Sequence, residues 1–129
     1  MKAPLLVLAV LLSGCGSSGG ASGGDTSIDT GCFTISQAVS TFNDAQDAIR
    51  NGTATPADTV KAFGHAADKL SEATTLLPAG HLQDLATTAG MALGRARVAA
   101  DSGADYSTDR GAALDALNQA APLCKGHTP

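Results

Sequence analysis

Three cysteines carry the clearest potential for chemistry in this chain, because a thiol can accept an acyl group, close a disulfide or bind a metal. Cys15 follows a short apolar run near the N-terminus, whereas Cys32 and Cys124 lie about 90 residues apart. These positions predict two separate roles, one for Cys15 and one for the distant pair.

The N-terminal run predicts an export signal. Lys2 supplies one positive charge, and residues 3–12 read APLLVLAVLL. Ten apolar residues match the length of a signal-peptide apolar region and fall far short of the ~20 that span a bilayer as a helix. An ordinary secretory signal also ends in small residues such as Ser13 and Gly14, so the apolar run alone leaves the type of signal open.

The end of this segment resembles the lipobox of bacterial lipoproteins, Leu12-Ser13-Gly14-Cys15. The resemblance implies that residues 1–14 are removed and that Cys15, now first in the chain, carries acyl chains such as palmitate. Two or three acyl chains anchor a protein stably, whereas one binds only marginally. The expected partner is therefore the bilayer, at the outer face of the cytoplasmic membrane. The Ala-, Gly- and Thr-rich composition resembles small lipoproteins of high-GC Gram-positive bacteria.

Residues 15–31 are expected to form a lipidated, flexible tether. They are almost entirely Gly, Ser, Thr and Asp, with Ile28 as the single large apolar side chain. Such a segment buries too little surface to fold, and as a flexible coil it reaches about 22 Å. We therefore expect one small folded domain over residues 32–126 and a short tail over residues 127–129.

Cys32 and Cys124 bracket that domain and are expected to form a disulfide. An exported compartment permits the bond, and closing a loop of about 90 residues stabilises by ~4–5 kcal/mol at most in the chain-entropy model. Two free thiols or a metal pair are the alternatives. No CxxC pair and no nearby cluster of histidines supports the metal site.

Apolar spacings of three and four residues predict four helices. The predicted apolar stripes are Ile35, Ala38, Val39, Phe42, Ala45 and Ile49 in the first helix; Val60, Phe63, Ala67, Leu70, Thr74 and Leu77 in the second; Leu82, Leu85, Ala89, Leu93, Ala96 and Ala100 in the third; and Ala113, Leu114, Leu117 and Ala121 in the fourth. The first helix begins at Thr34 with a Thr–Gln capping box, and the second begins after Thr55 with Pro56 in its first position. Gly103 follows the third helix, and Pro122 ends or kinks the fourth. The expected helices cover residues 34–50, 55–77, 81–101 and 107–121.

The predicted fold class is all-α, a small up-down-up-down four-helix bundle. An even number of antiparallel helices returns the C-terminus to the end where the chain enters. Cys32 and Cys124 would then lie side by side, so periodicity and cysteine placement agree. Alternating strand patterns are missing from the sequence.

Catalytic and metal-binding patterns are scarce. His65, His81 and His127 lie far apart, and neither HExxH, GxSxG nor a P-loop occurs. Glu72 is the single glutamate, whereas di-metal sites in bundles need several. We therefore expect no cofactor, no metal and no enzymatic activity. Without Lys2 the net charge is about −5, which opposes binding to nucleic acid.

The third turn contains the candidate interaction residues Asp101, Asp105, Tyr106 and Asp109. Calcium binding is one interpretation of the acids, but the EF-hand pattern fails because Ala112 replaces the bidentate glutamate. Capping of helix ends explains the acids better. Tyr106 is either an exposed contact residue or a lid on the end of the bundle.

Two functional hypotheses follow. The first is an interaction or structural module that presents a helical surface, with the acidic turn facing away from the membrane, to another envelope protein. The second is a small-ligand binder with a cavity inside the bundle, lined by Phe63, Leu70 and Leu93. We favour the first, because a core poor in large side chains closes more readily than it opens.

Overall fold

A computed structural model describes the backbone of residues 20–127 and the side chains of residues 27–127. The lipobox and Cys15 lie outside the described residues. The described part is all-α and contains no strand, which confirms the predicted fold class. Its elements are α1 Gly20–Arg50, α2 Pro56–Leu76, α3 His81–Ser102, α4 Ser107–Ala120 and a short 3₁₀ helix, Ala121–Cys124.

The four helices pack as neighbours in chain order. Helix α2 lies between α1 and α3, and α4 packs against α3. The short connections make consecutive helices antiparallel, as the up-down-up-down prediction requires. Helices α1 and α4 are the exception, because their backbones do not approach as closely as the other neighbouring pairs do. No described helix combines the length and hydropathy needed to span a membrane.

The predicted beginning of α1 is wrong. The helix begins at Gly20 rather than at Thr34, so the part of residues 15–31 that is described is helical rather than a flexible tether. Thr34 is buried inside the helix, where its hydroxyl donates to the carbonyl oxygen of Thr30 at 3.0 Å instead of capping an N-terminus. Ile28 packs against the core, and this apolar contact between distant parts of the chain favours an extended helix.

The other helix ends lie close to their predicted positions. The Thr55 hydroxyl accepts from the Asp58 amide at 3.1 Å, and the Asp58 carboxylate accepts from the Thr55 amide at 3.4 Å. Pro56 occupies the first turn of α2, as predicted. Gly103 has a left-handed φ of 76° at the end of α3, a conformation that glycine adopts without steric cost. Pro122 lies in the 3₁₀ helix that follows α4.

The core consists of a few large side chains among many alanines. Phe42, Phe63, Leu70 and Leu93 are the largest apolar side chains that are fully buried. The rings of Phe42 and Phe63 lie 6.2 Å apart. Helices α2 and α3 approach closely at Gly90, where a Cβ atom would lie 3.3 Å from Cβ of Leu70. The small side chains therefore fill the core by letting the helices approach closely, and not by their own volume.

Two predicted apolar stripes are correct only in part. Phe63 and Leu70 of α2 and Ala113 and Leu117 of α4 are buried as predicted. The predicted Val60, Ala67 and Thr74 are only half-buried, and Leu114 and Ala121 are exposed. The neighbouring Thr59, Ala66, Ala73, Ala116 and Ala120 are buried instead, because packing against the other helices, and not periodicity alone, sets which face of a helix is covered.

Cys32 and Cys124 form the predicted disulfide. Their sulfur atoms are 2.05 Å apart and their Cα atoms 5.6 Å apart, and both residues are buried. The bond joins α1 to the C-terminal 3₁₀ helix. It therefore closes the bundle between the two helices that pack least closely.

Replacing Cys32 and Cys124 together by serine should lower the free energy of unfolding by up to ~4–5 kcal/mol, because the bond closes a loop of 92 positions. Urea denaturation of the oxidised protein and of the double variant measures the difference. Reductant should destabilise the wild type and leave the double variant unchanged. Equal stability of the two proteins under oxidising conditions would contradict this prediction.

Candidate functional site

The interior cavity that the second hypothesis requires around Phe63, Leu70 and Leu93 is not present. All three side chains have 0% exposed surface, so no space large enough for a water molecule adjoins them. The closed core agrees with the favoured expectation, because small side chains let helices approach closely instead of leaving a void.

The acidic turn between α3 and α4 contains separate side chains rather than one cluster. Asp101 and Asp105 are exposed, whereas Asp109 is half-buried. The guanidinium of Arg95 donates from Nε to Oδ1 of Asp109 at 3.1 Å. Asp109 therefore joins α4 to α3, and Asp101 and Asp105 are the exposed acids of this turn.

Asp105 stabilises the beginning of α4. Its Oδ1 atom accepts from the Ser107 amide at 2.9 Å. This backbone hydrogen bond lowers the pKa of Asp105 below its ordinary value, with smaller contributions from the Ser107 hydroxyl and the positive charge of Arg110. An ionised carboxylate beside the first amides of a helix is favourable, which supports the capping interpretation of the acids.

Tyr106 forms a lid on this end of the bundle. The residue is half-buried, and its ring meets that of Phe63 edge to face, with centroids 5.3 Å apart. The guanidinium of Arg110 lies 5.6 Å from the ring centre. A shallow cavity of about 260 Å³ separates Tyr106 from Ile49 and from the α1–α2 connection at Ala54. The sequence left Tyr106 as either an exposed contact residue or a lid, and the structure shows the lid.

An open groove lies between α1 and the C-terminal end of the bundle. Its volume is about 480 Å³, and the disulfide forms part of its lining. It lies where α1 and α4 fail to pack closely, so apolar side chains of both elements remain partly accessible. The residues that give the groove its chemical character are Ile35, Val39, Leu117, Ala121, Pro122 and Lys125.

The sequence predicted that residues lining this groove lie on apolar helix faces, but it did not predict the groove itself. Ile35 and Val39 belong to the predicted stripe of α1, and Leu117 and Ala121 to that of α4. In the structure Val39 is half-buried and Ala121 is exposed. The available signal was Pro122, which lies where α4 passes into the 3₁₀ helix.

The histidines are dispersed over the molecule. His65 and His81 are exposed on α2 and α3, while Nδ1 of His127 lies 2.8 Å from Oδ1 of Asp29. This contact joins the predicted tail to α1. Within residues 20–127 we find no group of three His, Cys, Asp or Glu side chains that could hold a metal ion.

Comparisons with known proteins give no matching family model, no matching curated protein and no matching solved structure.

The carboxyl group of Asp105 should titrate below pH 3.8, its ordinary pKa. Its contribution to stability should be complete above that pH and lost as the pH falls through the lower pKa of the folded state. Carbon-detected NMR of the carboxyl resonances measures the titration. Ser107→Ala should raise this pKa part of the way to 3.8, while Thr108→Ala should not. A wild-type pKa at or above 3.8 would contradict the assignment.

Proposed function

We propose that this protein is a lipid-anchored lipoprotein of the cell envelope and that its helical bundle is a module for protein interaction. The lipobox residues that end at Cys15 support the anchor. The Cys32–Cys124 bond supports an exported location, because disulfides persist in oxidising compartments.

The filled interior carries the proposal for interaction. Phe63, Leu70 and Leu93 leave no room for a ligand beside them. A closely packed core resists deformation, so the bundle presents its outer surface as a fixed shape. A protein of this kind acts through what its surface contacts rather than through what its interior encloses.

The antiparallel topology suggests which surface is presented. The α1–α2 and α3–α4 connections share one end, as the cavity beside Tyr106 and Ala54 shows. The disulfide lies at the other end, together with the contact between Asp29 and His127. An anchor at Cys15 would therefore direct Asp101 and Asp105 away from the bilayer, towards other proteins of the envelope.

Small-ligand binding is the second candidate function. The groove of about 480 Å³ beside the disulfide supports it, since this volume lies within the range of small-molecule sites. In this form of the hypothesis the site is on the surface between α1 and the C-terminal end, and not inside the bundle.

Cys15→Ala should release the protein from the membrane fraction, because no acyl chain can then be attached. Fractionation with immunoblotting detects the change, and intact-mass analysis of the wild type detects the acyl groups. Ser17→Ala serves as the neighbouring control and should remain in the membrane fraction. Membrane retention of Cys15→Ala with an unmodified wild-type mass would refute the anchor.

A photoreactive residue at Asp101 should form a discrete cross-linked adduct with another envelope protein in living cells. The same residue at Asp84, an exposed acid in the first turn of α3 at the other end, provides the control. Asp105→Asn should reduce the Asp101 adduct, because it removes negative charge from the same surface. Equal cross-linking at both positions, or none at Asp101, would contradict an interaction at the acidic end.

A further inference from the structure

The groove beside the disulfide combines an apolar lining with a single charged side chain. Ile35 and Val39 of α1 face Leu117 and Pro122 across it, and Lys125 lies at its edge. We propose that this groove binds the hydrocarbon chain of a medium-chain fatty acid, whose extended length matches the groove, with the carboxylate paired to the ammonium of Lys125. This inference rests on the second candidate function and gives it a ligand class.

The size of the groove favours a small amphiphile over a protein partner. On α1 its lining runs from Cys32 to Val39, which is about 10 Å along a helix axis. A stable protein interface covers about 800 Å² on each partner, far more than two helical turns provide. A volume of about 480 Å³ instead matches sites that enclose most of a small ligand.

The charge of the groove favours an anionic headgroup. Lys125 is the one charged residue in its lining, and among the described side chains it belongs to no ion pair. The hydroxyl of Ser36, which also lines the groove, already donates to the carbonyl oxygen of Phe33 at 2.6 Å. Lys125 is therefore the donor that remains for a carboxylate, in a protein that is negatively charged overall.

The disulfide fixes one end of the groove. The Cys32–Cys124 bond holds the C-terminal 3₁₀ helix to α1 at one point, whereas α4 itself does not pack closely against α1. An apolar chain placed between them would remove the partly exposed Val39 from water, which favours binding.

The test uses the full-length lipidated protein in phosphatidylcholine nanodiscs and a decanoate analogue with a diazirine in its chain. After irradiation, mass spectrometry of peptides locates the label. We expect it on the two segments that form the groove, residues 32–39 and 117–125, with loss of the label when excess decanoate is added. Labelling spread over Met91 and Val98, which are exposed elsewhere, would overturn the proposal.

Two pairs of variants make the test specific. Ala121→Phe fills the groove from an exposed position of the 3₁₀ helix, and Ala112→Phe, at an exposed position of α4 outside the groove lining, is its control. Lys125→Glu should lower labelling by about fivefold, the equivalent of one exposed ion pair, whereas Lys61→Glu on α2 should not. If Ala121→Phe and Lys125→Glu are both labelled as strongly as the wild type, the groove is not the binding site. If Lys125→Glu alone keeps wild-type labelling, Lys125 does not bind the carboxylate.

A parallel sample distinguishes the source of the chain. It contains phosphatidylglycerol with a diazirine in its acyl chain instead of the decanoate analogue. Groove labelling by the phospholipid but not by the decanoate analogue would overturn the assignment to a free fatty acid. The outcome is independent of the cross-link at Asp101, because the acidic turn lies at the opposite end of the bundle.

Discussion

The covalent bond between Cys32 and Cys124 is the constraint on which the arrangement of the bundle depends. Three helix pairs are held by close packing, but α1 and α4 lack comparable contact. The disulfide joins α1 to the segment that follows α4 and so completes the circle of four helices. A bundle of this size buries a modest fraction of its surface, and a bond across its weakest seam limits the opening of that seam.

The alanine-rich core has consequences for both stability and shape. An alanine removes little apolar area from water, so the stability of the bundle depends on how closely the helices approach. Gly90 permits that approach between α2 and α3, and Phe63 fills the space beneath the ring of Tyr106. The result is a molecule with a closed interior and an open seam, which places any binding at its surface.

The two ends of the bundle differ in chemistry. At one end, Asp105 accepts from the Ser107 amide at the beginning of α4 and Tyr106 covers Phe63, so much of the acidic turn has a structural role. Only Asp101 and Asp105 remain exposed there as acids of that turn. At the other end an apolar groove meets Lys125. The two ends of the bundle therefore suit different proposed roles. The acidic turn is proposed to contact a protein, and the apolar groove is proposed to bind a small ligand.

Helix content, the pairing of the cysteines and most helix ends follow from the sequence, because periodicity, Thr55, Pro56, Gly103 and Pro122 act locally. The beginning of α1 and the rotation of α2 and α4 do not, because they depend on contacts such as that of Ile28 with the core. The groove is a further tertiary property, since it arises from the distance between α1 and α4. Local preferences set where helices form, whereas packing between distant segments decides which faces close and which remain open.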